Sequence, residues 1–193
     1  AMVLGHQGTN FCAGANLNLL LELSQNNQWE ALEFAVKTMQ DMTQRIRFST
    51  GPIIAAPFQL TLGGGVEIVQ PAAHRVVAAE TYMGLVEFGV GIIPSGGGTK
   101  EMTLRTSDMY KKGDPELNIL MENFMTIATA KVATSSKEAV AMGLLKQTDK
   151  HTLNRMSLLS EAKNDVLNLY NEGYTQKKER QNIKVQGRAG IAM

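Results

Sequence analysis

Apolar positions recur at helical spacing through one long stretch of the chain. Leu32, Val36, Met39, Met42 and Ile46 fall on one face between residues 29 and 48, with Glu33, Lys37, Asp41 and Arg45 on the others. This predicts a long helix, capped by Asn26 or Asn27 and ended by Gly51-Pro52. Its methionine-bearing stripe reads as core rather than as a binding groove. Short apolar runs predict buried strands at residues 2–4 and 53–56, and Arg75-Val76-Val77-Ala78-Ala79 predicts another short strand. Between the last two, a strand ending at Thr61-Leu62 leads through a turn at Gly63, Gly64 and Gly65 into a short helix stopped by Pro71.

The second half changes character. The turn Pro94-Ser95-Gly96-Gly97-Gly98 opens a helix through Leu104, and a polar loop follows at residues 111–115, with Pro115 suited to a first helical turn. Leu117, Leu120, Phe124 and Ile127 predict one apolar helix face. Ser135-Ser136-Lys137-Glu138 fits a capping box, and Gly143 suits the end of that short helix. A last amphipathic helix is predicted over residues 152–170, with Leu153, Met156, Leu159, Val166 and Leu169 inward. After Gly173 the chain is basic and polar, and Lys177, Lys178 and Arg180 read as a solvated, mobile end. Strands alternating with helices, then helices alone, imply an α/β fold with a helical C-terminal section. The expected division is a core at 1–110, a helical section at 111–172 and a tail at 173–193. About three or four strands are visible, fewer than the usual sheet of roughly five or six.

Composition narrows the function without naming it. The 193 residues are 44% apolar and 19% charged, with a net charge of +1, which fits a soluble globular chain and gives no basic field for nucleic acid or a membrane surface. Cys12 is the single cysteine, so no internal disulfide exists, and a reducing cytoplasm is the expected location. No apolar run approaches the roughly 20 residues of a bilayer span. The start has no signal-peptide pattern, and Ala1 ahead of Met2 reads as a cloning remnant with natural chain expected upstream.

The candidate chemistry is a pair of acids. Glu67 and Glu87 each lie in an apolar, glycine-rich setting where an unpaired charge is costly. If both face one volume they can carry acid/base chemistry; two unrelated loop glutamates are the alternative. A helix starting at the glycines before Glu67 would direct free backbone N–H groups outward, suited to a phosphate or a developing oxyanion. Neither a G-x-G-x-x-G turn nor a Walker A loop is present, and Gly98-Thr99-Lys100 has the wrong order for the latter, which favours the oxyanion. The small residues Ala13, Gly14 and Ala15 would let a ligand approach the backbone. Cys12 reads as a packing residue, and His74 as structural or superficial.

These segments resemble a known family. Phe11-Cys12-Ala13-Gly14-Ala15-Asn16-Leu17, Leu62-Gly63-Gly64-Gly65-Val66-Glu67, the segment from Gly84 through Glu87 to Thr99, and Ser136 to Leu144 are similar, in order and spacing, to motifs of the crotonase (enoyl-CoA hydratase/isomerase) superfamily. Residues 55–58, 80–87 and 97–102 resemble more closely the hydratase-like C-terminal region of bacterial 3-hydroxyacyl-CoA dehydrogenases of fatty-acid β-oxidation. The resemblance implies a crotonase-like spiral of ββα units, with several dozen upstream residues of the family fold missing from this chain. It implies Glu67 and Glu87 as catalytic residues, Glu67 activating water and Glu87 delivering a proton, with Ala15 and Gly64 forming the oxyanion hole. Ala13, Gly14, Asn16, Gly63 and Gly65 would contact an acyl-CoA substrate. Glu67 is expected as the anion because of its helix N-terminus, and Glu87 as the protonated acid because of its apolar site.

No metal is implied and no cofactor bound by this chain. CoA belongs to the substrate, and NAD would enter only through a dehydrogenase domain elsewhere in a parent polypeptide. The family forms trimers and hexamers, so a homo-oligomer or docking onto a dehydrogenase domain is expected. Asn16 stands where the family usually has aspartate, and Ala73-His74 where a Cys-Asp pair is frequent. An enoyl-CoA isomerase and a non-catalytic scaffold are the other readings.

Overall fold

Ile53, Ile54, Ala55 and Ala56 are all buried, because the strand they form is covered on both faces. Ile53 and Ala55 join one apolar cluster with Val66, Val69, Val77, Met83 and Leu85. Ile54 and Ala56 join another with Phe58, Val76, Leu158, Ala162 and Val166. Side chains that alternate between two cores are what a central parallel strand requires.

The computed structural model describes residues 1–192 other than Lys112 and Asp114, so those two positions of the expected polar loop lie outside the described residues. Its elements in order are β1 (Met2–Leu4), α1 (Leu17–Gln25), α2 (Trp29–Arg47), β2 (Ile53–Ala55), β3 (Gln59–Leu62), α3 (Gly64–Val69), β4 (His74–Ala78) and β5 (Thr81–Gly84). A 3-10 turn (Glu87–Val90), α4 (Gly98–Met109), α5 (Glu116–Ala128) and α6 (Ser136–Ala141) come next. The chain continues through β6 (Lys150–Thr152), a 3-10 turn (Arg155–Ser157), α7 (Leu158–Asn171) and α8 (Arg188–Ile191).

Two parallel sheets organise these pieces. One has the order β1-β2-β4-β6, and the other pairs β3 with β5. The chain visits a strand of the first sheet, then the second, then a helix, and repeats: β2, β3, α3, then β4, β5, α4. Bridges extend the smaller sheet on both sides, Cys12 to Thr61 and Met83 to Ala133. Arg75 of β4 is tied to Asp149 at 2.7 Å, both side chains almost wholly buried. His74 is held between Asp165 and the Thr148 carbonyl, a structural role. No helix among the described residues is long and apolar enough to cross a membrane.

Several expectations are corrected. Six strands are described instead of three or four, β5 and β6 being additional. An unpredicted helix, α1, precedes the long one, with Asn16 capping its start by accepting from Leu19 N. Asn26 ends α1 rather than starting α2, whose N-cap is Gln28 without a side-chain bond. On α5, Leu117 and Phe124 are exposed while Asn123 and Thr126 are buried. Asn123 Nδ2 donates to Thr106 Oγ1 at 2.8 Å, so this inward face is polar and satisfied and escapes an apolar pattern. The last helix begins at Leu158 rather than at 152, so Leu153 and Met156 lie in the connection before it and are 95% and 90% exposed, and Leu159 is exposed as well. The chain after Gly173 is fastened to the body: Gln176 Nε2 donates to Phe48 O at 2.6 Å, Lys184 N to Ser107 Oγ at 2.9 Å and Gln186 Nε2 to Glu116 Oε2 at 2.7 Å.

Candidate active site

Three chain segments of the small sheet end side by side. Leu62 is in register with Gly84, and Cys12 bridges to Thr61 on the other flank. Leu62 N donates to Cys12 O and Gly63 N to Gly84 O, each at 2.9 Å. Three continuations therefore collect at one edge: Ala13 to Ala15 after Cys12, α3 after Leu62, and the turn holding Glu87 after Gly84. Parallel α/β sheets bind ligands at this carboxyl edge. The chain can reverse from β3 into α3 because Gly63 adopts φ +52°.

The edge opens into a cavity of about 350 Å³. Ala13, Gly14, Ala15, Gly63, Gly64, Glu67 and Glu87 all line it. The remaining wall is mainly apolar, with α2 contributing Val36 and Met39, and with Val90, Ile92 and Ile93 from the chain just beyond Glu87. Two residues assigned to substrate by resemblance sit elsewhere. Asn16 is the exposed cap of α1, and Gly65 is packed beneath the cavity, where a Cβ would lie 2.8 Å from Cys12 Cβ. Cys12 fills the space under the glycine run and also reaches the cavity wall.

The two carboxylates differ in their support. Glu67 lies in the first turn of α3 and is buried. Its Oε1 accepts from Gly98 N, at the start of α4, at 2.7 Å. Burial pushes its pKa up, opposed by the backbone N–H groups of Gly98, Gly97 and Gly96 and by the Lys100 charge. The pull toward the anion comes from the N-terminus of α4, not from that of its own helix as expected, and desolvation outweighs it. Glu87 sits in the 3-10 turn, and its Oε2 is buried with no hydrogen-bond partner among the described residues. Burial raises its pKa to about 7; its own backbone N–H lowers it, and the Glu67 charge raises it further. An acid at about 7 beside a hydrogen-bonded carboxylate can hold and pass a proton near neutrality.

Donors for a developing negative charge lie alongside. Gly64 opens α3, so its N–H has no intrahelical acceptor. The Ala15 N–H likewise donates to no protein group among the described residues. No group of three or more His, Cys, Asp or Glu among the described residues converges on a metal-binding position.

Some site residues escape the sequence pattern. Val36 and Met39 belong to the stripe read as core, yet they are half-buried and face the cavity. Their helical spacing is the same either way, so periodicity alone does not separate the two. Gly96 and Gly98 crowd Glu67 from the far side: a Cβ on Gly96 would come within 2.6 Å of Glu67 Oε2, and one on Gly98 within 3.1 Å of Oε1. The glycine run itself is the visible signal.

Comparison with known proteins agrees with this geometry. The enoyl-CoA hydratase/isomerase family profile matches residues 1–113. A probable 3-hydroxyacyl-CoA dehydrogenase of Bacillus subtilis (strain 168) is 42% identical over 191 residues, spanning 99% of this chain and 24% of that protein. A putative fatty acid oxidation complex trifunctional enzyme of Rickettsia felis is 39% identical over 108 residues, 56% of this chain and 14% of that protein. The chain thus spans about a quarter or less of these relatives. A crystal structure of an enoyl-CoA hydratase from Bacillus anthracis superposes with a TM-score of 0.66 at 26% identity, covering 87% of this chain and 57% of that one. An enoyl-CoA hydratase from Polaromonas sp. JS666, at 21% identity and TM-score 0.68 over 86% of this chain and 58% of that one, shares the fold. The ββα spiral is crotonase-like, and the chain belongs to the enoyl-CoA hydratase/isomerase family.

Proposed function

We propose that this chain is the hydratase region of a fatty-acid β-oxidation enzyme, adding water syn across the double bond of a trans-2-enoyl-CoA. The observation that carries the reading is the convergence of Glu67 and Glu87 on one mainly apolar cavity beside the free N–H of Gly64. The thioester carbonyl accepts from the N–H groups of Ala15 and Gly64, which makes Cβ electrophilic. One such donor is worth roughly 3–4 kcal/mol of barrier. Glu67, as carboxylate, takes a proton from water as its oxygen bonds to Cβ. The electron pair of the double bond moves toward the thioester oxygen, and Glu87 gives its proton to Cα as the charge returns. The site ends with the proton exchanged between the two acids, and water or solvent restores the starting state.

The high proton affinity of Glu87 supports its role as donor. The hydrogen bond from Gly98 supports Glu67 as the fixed acceptor. NAD belongs to this chemistry only if the parent polypeptide carries a dehydrogenase domain, onto which this region would dock. An isomerase needs a single acid to shuttle a proton between carbons, and retention of both favours the hydratase.

The test is hydration of crotonyl-CoA, monitored by loss of the enoyl-thioester absorbance, with this chain and with a full-length parent. Turnover in the parent that disappears in Glu67→Gln is the expected result. A parent that isomerises 3-enoyl-CoA but never hydrates selects the isomerase, and activity in neither assay selects a scaffold.

A further inference from the structure

A second cavity, of about 260 Å³, lies between α4 and the chain after Gly173, and no residue lines both it and the Glu67–Glu87 cavity. Six cations face it from four parts of the chain: Arg47 of α2, Arg105 of α4, Lys146 after α6, and Lys177, Lys178 and Arg180 beyond α7. Among the described residues only two carboxylates face it, and both are engaged. Glu101 is paired with Arg47 and Lys100, and Asp108 with Arg180.

Of the other four, Lys146 and Lys178 are exposed, but Arg105 and Lys177 are withdrawn from water and poorly satisfied. Arg105 is 6% exposed, and its Nε has no hydrogen-bond partner among the described residues. Its terminal nitrogens reach only the Gly143 and Gln70 carbonyls, at 3.4 and 3.5 Å. Lys177 Nζ has one carbonyl partner, Ala72 O at 3.2 Å. Behind them Arg75 is already taken by Asp149. Glu101 and Asp149 act on Arg105 from nearby, but each already has a cationic partner, and the positive charges at the groove outnumber the carboxylates.

We propose that this groove binds a phosphate-type oxyanion, as a phosphate or diphosphate group. Several donors converging from separate elements match a multi-oxygen dianion better than a planar carboxylate, which offers two oxygens in one plane. The volume holds such a group but is below the usual range for a whole organic ligand, so the remainder of a larger molecule would project outward.

The electrostatics agree with the geometry. Burial and then Arg75 bring Arg105 down to about 10, and burial and then Arg47 bring Lys177 down to about 8. Lys146 is lowered as well, by burial and by Arg75 and Arg105. An anion among them reverses the repulsion. Because Lys177, Lys178 and Arg180 lie on the terminal segment, occupancy would also fasten that segment to α4. Anion binding at this groove is independent of the reaction proposed above.

The test uses this chain, with inorganic phosphate, pyrophosphate and ADP titrated by calorimetry and thermal denaturation at ionic strength held constant with chloride. Saturable stabilisation is expected. Lys177→Gln and Lys146→Gln should each weaken binding about tenfold, as expected for loss of one charge-assisted contact. Backbone amides at 174–186 should exchange more slowly when the site is filled. At pH 8.5, binding should take up protons as Lys177, facing Arg47, Glu101, Arg75 and Lys146, recovers its charge. ADP binding tighter than pyrophosphate assigns the site to a nucleotide phosphate, and equal or weaker binding to the free anion. No stabilisation beyond chloride, or affinity unchanged in both lysine variants, overturns the proposal.

Discussion

Glu67 and Glu87 are the same residue type on the same cavity, yet the fold treats them differently. Glu67 grows from a helix and is anchored to the first N–H of another, α4. Glu87 rides on a single 3-10 turn, and one of its oxygens has no partner among the described residues. Both are destabilised as anions by burial, but only Glu67 receives compensating backbone donors from a neighbouring element. The contrast shows how one chain separates two identical acids. Backbone donors from α4 offset part of the burial at Glu67, and the lack of such donors leaves burial to raise the proton affinity of Glu87 to about 7.

The most severe way to break the contrast is to neutralise each acid. Glu67→Gln and Glu87→Gln should each lower kcat for crotonyl-CoA hydration in the parent protein by about 10²–10⁴-fold. The double variant should be little worse than the poorer single one, since the pair acts as a unit. A single variant that keeps near-full turnover removes its residue from the chemistry.

A milder disturbance is Gly96→Ala. The added Cβ would sit 2.6 Å from Glu67 Oε2 and 2.5 Å from Met39 Cγ, so the carboxylate must shift. A displaced acceptor should cost about 10–100-fold in kcat with the fold retained by circular dichroism. Unchanged kcat would mean that Glu67 does not need its anchored position.

The pH–rate profile separates the two acids without mutation. Turnover should fall as pH rises through about 7, where Glu87 loses the proton it donates. It should also fall at low pH as Glu67 becomes protonated, with that limb above the ordinary carboxylate range because its pKa is raised. A profile flat from pH 6 to 9 contradicts the assignment of Glu87.

The smallest effect is on stability. The folded Glu87 has a pKa of about 7 against an ordinary value of 4.5, so the native state holds more protons between those values and loses stability as pH rises through them. Glu87→Gln should therefore be more stable than the unaltered chain above pH 7. The gain is about 1 kcal/mol once the group's partial exposure is allowed for, and it should vanish below pH 4.5. Urea denaturation at pH 8 and pH 4 measures the difference.

The legible parts of the molecule are those whose physics is local. Ile53-Ile54-Ala55-Ala56 reads as a strand because every position is apolar, and Ser135 with Glu138 reads as a helix start because the cap is made within four residues. The glycines and glutamates of the site are also legible, since a tight reversal at Gly63 has few substitutes. The lost parts depend on distant partners. β6, Lys150-His151-Thr152, is polar and short and becomes a strand only by pairing with β4. Val36 and Met39 change from core to cavity wall according to where α2 lies over the glycine turns, and nothing in their spacing records it. The terminal cations look solvated in sequence because the groups that receive them, Ala72 O and Asp108, are far away in the chain.

The Arg75–Asp149 pair joins residues separated by 74 positions, and β6 docks on β4 across the same interval. Parallel pairing of such remote strands cannot begin with a hairpin, and closing the long intervening loop costs chain entropy before any contact is gained. Completion of the sheet should therefore be a late and slow event in folding. During synthesis it must wait until Asp149 and β6 have left the ribosome. Until then β4 has an open edge, and Arg75, later fully buried, stays in water without its partner.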